Sequence, residues 1–424
     1  MKIKFVIISI ITVILISSCK KENSTLFSLI PSNETGIDFN NIIKETDSFN
    51  ILTEEYIFNG GGVAIADFNN DSFPDIFFSG NQVANKLYLN IGNFKFKDAS
   101  KTSGIEGTNR WSTGVTTVDI NNDGLIDIYV CAAIDKNSNK RRNQLFINQG
   151  LDKNNVPIFK DMAKAYGIDS KDNSMGAIFF DYDKDGYLDL YVLNNEQNNF
   201  TPTSYRKKIT DGTAISNDKL YRNNQNNTFT DVTKEAGILI EGFGLGIGVA
   251  DINKDSWPDI YVTNDYITND ILYINNQDGT FSNQIEKYIG HQSKFSMGCD
   301  IADYDNDGNL DIVTLDMLGD SNYRMKTTIG DKNYIVNILD KRWNYEPQHI
   351  RNMIHKGNGS NLPFSEIGLM ATMFKTDWSW SPLFMDANNN GYKDLFITNG
   401  FPRDITDKDF ADFRLHASPF YSTK

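Results

Sequence analysis

Cysteine is nearly missing from this 424-residue chain, which has only Cys19, Cys131 and Cys299. Cys131 and Cys299 lie in different repeats, so no disulfide framework is expected and both read as buried free thiols. Histidine is as scarce: His291, His349, His355 and His416 stand without metal-ligand or triad spacing, which removes the commonest base for acid–base or nucleophilic catalysis. The only long apolar run, "FVIISIITVILI" near the N-terminus, is too short to span a bilayer comfortably. Positive charge is also in deficit, with 41 Lys and Arg against 55 Asp and Glu and a net charge of −14. A surface of that sign does not attract nucleic acid or anionic lipid.

Lys2 and Lys4 before the apolar run and "SSC" after it describe a secretion signal over residues 1–18. Ile16-Ser17-Ser18-Cys19 resembles the bacterial lipobox, in which the cysteine is acylated; the alternative is an ordinary cleaved signal followed by a chance cysteine. Residues 19–25 read as a polar tether. The expected location is the bacterial envelope, at the outer membrane or cell surface, with the membrane met only through the lipid on Cys19. Loss of the two signal lysines takes the charge from −14 to −16.

What the chain has in excess is aspartate in one repeated phrase. "DYDNDGNLDI" opens on Asp303, Asp305, Asp307 and Gly308, a start similar to the calcium loop of an EF-hand, but the twelfth position is Thr314 and the closing acid comes ninth, at Asp311. Six such loops begin at Asp67, Asp119, Asp181, Asp251, Asp303 and Asp386, spaced 52, 62, 70, 52 and 83 residues apart. Carboxylates so crowded repel one another unless a cation sits among them. Side-chain oxygens at positions one, three, five and nine are the candidate ligands, with a carbonyl from position seven and a water. They are Asp67, Asn69, Asp71 and Asp75; Asp119, Asn121, Asp123 and Asp127; Asp181, Asp183, Asp185 and Asp189; Asp251, Asn253, Asp255 and Asp259; Asp303, Asp305, Asp307 and Asp311; and Asp386, Asn388, Asn390 and Asp394. Hard oxygen donors without His or Cys point to calcium rather than zinc or copper; polar turns without metal are the bland alternative. By carboxylate count, affinity falls from the loops at Asp181 and Asp303, through those at Asp67, Asp119 and Asp251, to that at Asp386. Ser72 and Ser256 replace the sixth-position glycine, which matters if φ there is positive.

Around each loop the sequence repeats too. A small-residue strand precedes it, with Gly62, Gly114, Gly176, Gly246, Gly298 or Ser381 five positions ahead of the first acid. A β-rich run follows the ninth-position acid, then alternating strands such as "NKLYLN" and "DILYIN", then "NTFTDVTKEAGI" and its relatives. Four short antiparallel strands per repeat predict an all-β fold, a β-propeller of four-stranded blades over residues 26–410, with residues 411–424 as an atypical tail. Residues 26–37 look like a stray fourth strand, expected to meet the chain's other end in one sheet or to lie unpaired. The segment 318–362 is an insertion, either padding over one face or part of a ligand site. Trp111, Trp378 and Trp380 could stack on sugars or simply pack.

"NGGGVAIADFNND", "WSTGVTTVDINNDGLIDIYV", "FSMGCDIADYDNDG" and "TDWSWSPLF" resemble the phrases of exported FG-GAP, or VCBS-type, repeat proteins, the integrin-like propellers that include relatives of cartilage acidic protein. The resemblance implies seven blades with calcium between the first and second strands of each. Six repeats are visible, so the ring is expected to be incomplete, the chain ending before a last repeat and before the ASPIC and UnbV domain of larger members. Two functions fit. One is a non-enzymatic surface lipoprotein whose propeller face binds protein or glycan, in adhesion or nutrient capture. The other is a polysaccharide lyase or hydrolase built on a calcium propeller.

Overall fold

Each repeat is realised as one antiparallel sheet. The structure is a computed structural model and describes residues 25–196, 203–328, 330 and 334–413. The signal segment 1–18, Cys19 and most of the tail lie outside them. The first sheet orders β1 (Val63–Ala66), β2 (Asp75–Phe78), β3 (Lys86–Asn90) and β4 (Phe96–Asp98). The second repeats this with β5 (Ser112–Val118), β6 (Asp127–Ala132), β7 (Gln144–Leu151) and β8 (Pro157–Asp161). The third has β9 (Ser174–Phe180), β10 (Asp189–Asn194), β11 (Lys219–Asn223) and β12 (Phe229–Asp231). The fourth has β13 (Gly244–Ala250), β14 (Asp259–Asn264), β15 (Ile271–Asn275) and β16 (Phe281–Asn283). After the short β17 (Gln292–Ser293), the fifth sheet joins β18 (Cys299–Ala302) and β19 (Asp311–Thr314) to β21 (Met353–Lys356) and β22 (Ser365–Glu366), while β20 (Gln348–His349) pairs in parallel with β17. The sixth sheet has two described strands, β23 (Ser379–Met385) and β24 (Asp394–Asn399).

The first strands of successive sheets neighbour one another, and their N-terminal ends surround one central opening. Close approach there requires glycine: a Cβ on Gly114 would lie 2.5 Å from the Met175 carbonyl oxygen, and one on Gly298 would lie 2.6 Å from that of Trp380. Gly176 is the exception, with open space where its Cβ would stand. Apolar side chains fill the wedges between sheets. Phe77 and Leu87 pack on Ile128 and Val130, Tyr129 and Leu145 on Leu190 and Val192, and Leu193 on Ile260 and Val262. Each fully buried side chain of this kind contributes about 1.5–3 kcal/mol. Strands β6, β10 and β14 are buried along their whole length, whereas β24 leaves Phe396 48% exposed, since no third strand covers it among the described residues.

Two sequence expectations are corrected. Residues 26–37 form no strand: Ser32–Thr35 is a single helical turn, and Asp38 reaches the Tyr88 hydroxyl of the first sheet. The segment before the first sheet instead meets the segment after β24, through Phe58 against Phe401 and Glu45 against Arg403. The segment 318–362 is also not wholly an insertion. It contains helices over Asn322–Thr327 and Tyr334–Trp343 but then delivers β21, the third strand of the fifth sheet. Among the described residues no helix is long and apolar enough to cross a membrane.

A buried staple recurs just before each third strand. Asn85, Asn143, Asp218, Asp270 and Asn352 each accept, at 2.8–3.0 Å, a backbone N–H from the chain leaving the second strand. Tyr191 and Tyr261 donate their hydroxyls to Asp218 and Asp270, whereas the Asn143 amide donates to Tyr129. Burial pushes both acids up to about 7. Their folded pKa lies above that of an aspartate in the unfolded chain, so the stability linked to their protonation is present in acid and is lost as pH rises from about 4 to about 7. Asp218→Asn, the residue other repeats use, should flatten this slope and leave the melting temperature at pH 8 equal or higher. An unchanged slope with a lower melting temperature contradicts the assignment.

Candidate metal loops

Every loop joins the first and second strands of its sheet, and in all six the residue before the first acid pairs with the ninth-position Asp, from Ala66 with Asp75 to Met385 with Asp394. The loops share one rim and touch: Asn70 donates to the Gly124 carbonyl, Lys254 to that of Gly308, and Asn306 to that of Gly391. Within each loop the first Asp accepts the N–H groups of positions five and six at 2.7–3.1 Å, as Asp67 does from Asp71 and Ser72 and Asp386 from Asn390 and Gly391. The fifth residue accepts from the seventh, at 2.8–2.9 Å.

The ninth acid is the buried anchor. Asp75, Asp127, Asp189, Asp259 and Asp311 are fully buried. One oxygen of each accepts the N–H of position two, and the other accepts an N–H at the end of the third strand, from Asn90, Asn148, Asn223, Asn275 or Gly357. Burial pushes Asp75 up to about 6 and Asp127, Asp189 and Asp259 up to about 7. A nearby cation would reverse that shift.

The residues present fit a hard cation. Carboxylate oxygens of Asp181, Asp183 and Asp185 lie within 4.8 Å of one another, as do those of Asp303, Asp305 and Asp311. That spread matches donors about 2.3–2.6 Å from one ion. Asp183 and Asp305 each also keep a buried oxygen with no hydrogen-bond partner. In three other loops the third-position amide of Asn69, Asn121 or Asn253 donates to the fifth-position Asp at 2.8–2.9 Å.

The structure adds residues that the loop phrase does not contain. The position just before the third-strand donor is Leu89, Ile147 and Ile274 beside loops with three carboxylates, but Arg222 and Lys356 beside the two with four. Lys356 pairs with Asp307 at 2.8 Å and with Asp305, and Arg222 acts on Asp183 by charge. The two loops with four carboxylates thus have a cation of the chain beside them, which would offset part of the affinity expected from carboxylate count alone. Three of the scattered histidines also converge, and His416 lies outside the described residues. The rings of His291 and His349 are 5.4 Å apart, Arg351 and Glu366 meet His291, and burial pushes nearby His355 down to about 4. Cys131 and Cys299 are both free, with Cys131 buried and Cys299 partly so. Trp111 packs in an apolar cluster with Ile51 and Ile57, while Trp378 and Trp380 stack with Phe401.

φ is positive at position six of every loop, 71° at both Ser72 and Ser256. Glycine adopts that region freely, whereas a side chain there costs about 1–2 kcal/mol. Ser256→Gly should stabilise the protein by about 1 kcal/mol in denaturant unfolding; destabilisation would show that the serine side chain has its own role. Lys356→Met should tighten divalent-cation binding at the loop of Asp303 several-fold, read by titration with a luminescent lanthanide. Unchanged or weaker binding contradicts the charge assignment.

Comparison with known proteins agrees with this geometry. A profile of the FG-GAP-like repeat matches residues 67–130, 209–262 and 251–314. Human cartilage acidic protein 1 is 28% identical over 141 residues, an alignment covering 32% of this chain and 20% of that protein's length. Among solved structures, an Agrocybe aegerita lectin described as recognising non-reducing terminal N-acetylglucosamine aligns over 79% of this chain and 73% of its own, at 16% identity and a TM-score of 0.42. The V. cholerae biofilm matrix protein Bap1 aligns over 70% and 37%, at 14% identity and a TM-score of 0.34. The chain therefore carries FG-GAP-like repeats, in the region of its aligned loops and repeated four-stranded sheets.

Proposed function

We propose that this chain is a non-enzymatic cell-surface protein, anchored by a lipid on Cys19, whose calcium-stabilised propeller presents a face that binds protein or glycan. The observation that carries the reading is where the acids are used. The first Asp of each loop holds the loop's own backbone N–H groups, and in the loops at Asp181 and Asp303 three carboxylates bring oxygens within 4.8 Å of one another, an arrangement suited to a metal in a structural role. Calcium suits those donors because it takes six to eight oxygens in a flexible shell. Six such ions would take the mature charge from −16 to −4, removing most of the self-repulsion that opposes folding. On the rim opposite the loops, Trp380 and Phe401 leave part of their aromatic surface open among the described residues, which supports a binding face there.

Glycan and protein arrays probed in calcium and again in chelator test this reading. Saturable binding that calcium removal abolishes, with the ligand recovered intact, is the expected result. Release of shortened oligosaccharides contradicts it and favours a polysaccharide-active enzyme. Cys19→Ala should move the protein from the membrane fraction to the soluble fraction; equal membrane retention contradicts the anchor.

A further inference from the structure

Away from the loops, where the N-terminal ends of the first strands meet the segments 55–59 and 401–406, lies a cavity of about 220 Å³. Its walls are aromatic: Tyr56, Tyr266, Phe295, Trp378, Trp380 and Phe401. Trp378 and Phe401 stack at 4.0 Å between ring centroids, Trp380 lies 5.9 Å from Phe401, and Tyr266 stands edge-on to Tyr56 at 6.1 Å. Two carboxylates join them, Glu55 and Asp265, and among the described residues no lysine or arginine lines the cavity. The tyrosines orient the acids, since Tyr266 donates its hydroxyl to Glu55 at 2.7 Å and Tyr56 donates its own to Asp265 at 2.9 Å.

We infer that this cavity binds a small organic ammonium group, with the aromatic faces surrounding the cation and Glu55 and Asp265 supplying its counter-charge. Ring faces attract a cation through their quadrupole, most strongly where water is excluded. An anionic ligand would meet two carboxylates with no compensating base. A neutral ligand would offer nothing to Asp265, whose ionised form burial and the nearby acids Asp316 and Glu55 disfavour and a bound cation would favour. The protein's net negative charge draws cations in as well. This inference goes beyond the protein- or glycan-binding role and stands on a different rim from the loops.

Choline is the probe, titrated into the full chain by calorimetry and by tryptophan fluorescence, beside its uncharged isostere 3,3-dimethylbutan-1-ol and N-acetylglucosamine. Saturable choline binding at least tenfold tighter than that of either neutral compound is expected. Glu55→Gln and Trp380→Leu should each weaken it several-fold at an unchanged melting temperature. If a variant melts earlier, competition by tetramethylammonium on the unaltered chain tests the same site: displacement of choline supports it, and no displacement overturns it. Phosphatidylcholine vesicles distinguish a lipid headgroup from a free solute, and choline-competed binding of either supports the site. No choline binding, equal affinity for the uncharged isostere, or preference for the sugar overturns it.

Discussion

Repulsion among carboxylates is the constraint on which the rest of this structure depends. Six loops each place two to four acids within nine positions, and each must close so that its first and second strands can pair. The backbone supplies part of the answer. Each first Asp draws two N–H groups inward, and the buried ninth Asp ties its loop to the third strand in the first five sheets. Hydrogen bonds of this kind fix geometry but do not cancel charge. Asp183 and Asp305, each with a buried oxygen lacking a partner, mark where charge is still missing. A divalent cation would complete the loop, and Arg222 and Lys356 supply positive charge from the chain where the acids are densest.

From that constraint the architecture follows. A closed loop sets the register between first and second strands, with Ala66 opposite Asp75 and its counterparts in the other repeats. Register then decides which side chains enter the wedges between sheets, because a one-residue slip would turn every apolar residue outward. Small residues on the first strands let the sheets converge around one opening, and the staple at Asn85, Asn143, Asp218, Asp270 and Asn352 fastens the third strand to the second. Metal loops thus occupy one rim, and the other is left to the aromatic cavity.

Much of this was legible in the residues because it is local and repeated. The six loops, their place between first and second strands, the glycine five residues ahead and the four-stranded sheets all lie within short windows. What escaped was non-local or broke the pattern. Met353–Lys356 is a third strand, but it lacks the Leu-Tyr or Leu-Phe of its counterparts and follows two helices, so only the staple residue Asn352 could have revealed it. Lys356 and Arg222 act on loops 49 and 39 residues away, at positions whose meaning depends on sheet register. Residues 26–37 carry strand-like apolar residues, yet Leu29 is 96% exposed and the segment turns as a helix instead. The histidines converge only because β17 and β20 pair in parallel and bring His291 beside His349.

The central claim, that cations complete these loops and thereby hold the sheets, is tested most directly by counting bound calcium on the folded chain by native mass spectrometry while following thermal unfolding with and without a chelator. The account predicts several calcium ions per chain, up to one for each of the six loops, and a melting temperature that drops sharply when they are removed. A chain that carries no calcium, or that melts at the same temperature with and without it, would contradict the account and leave the loops as hydrogen-bonded turns.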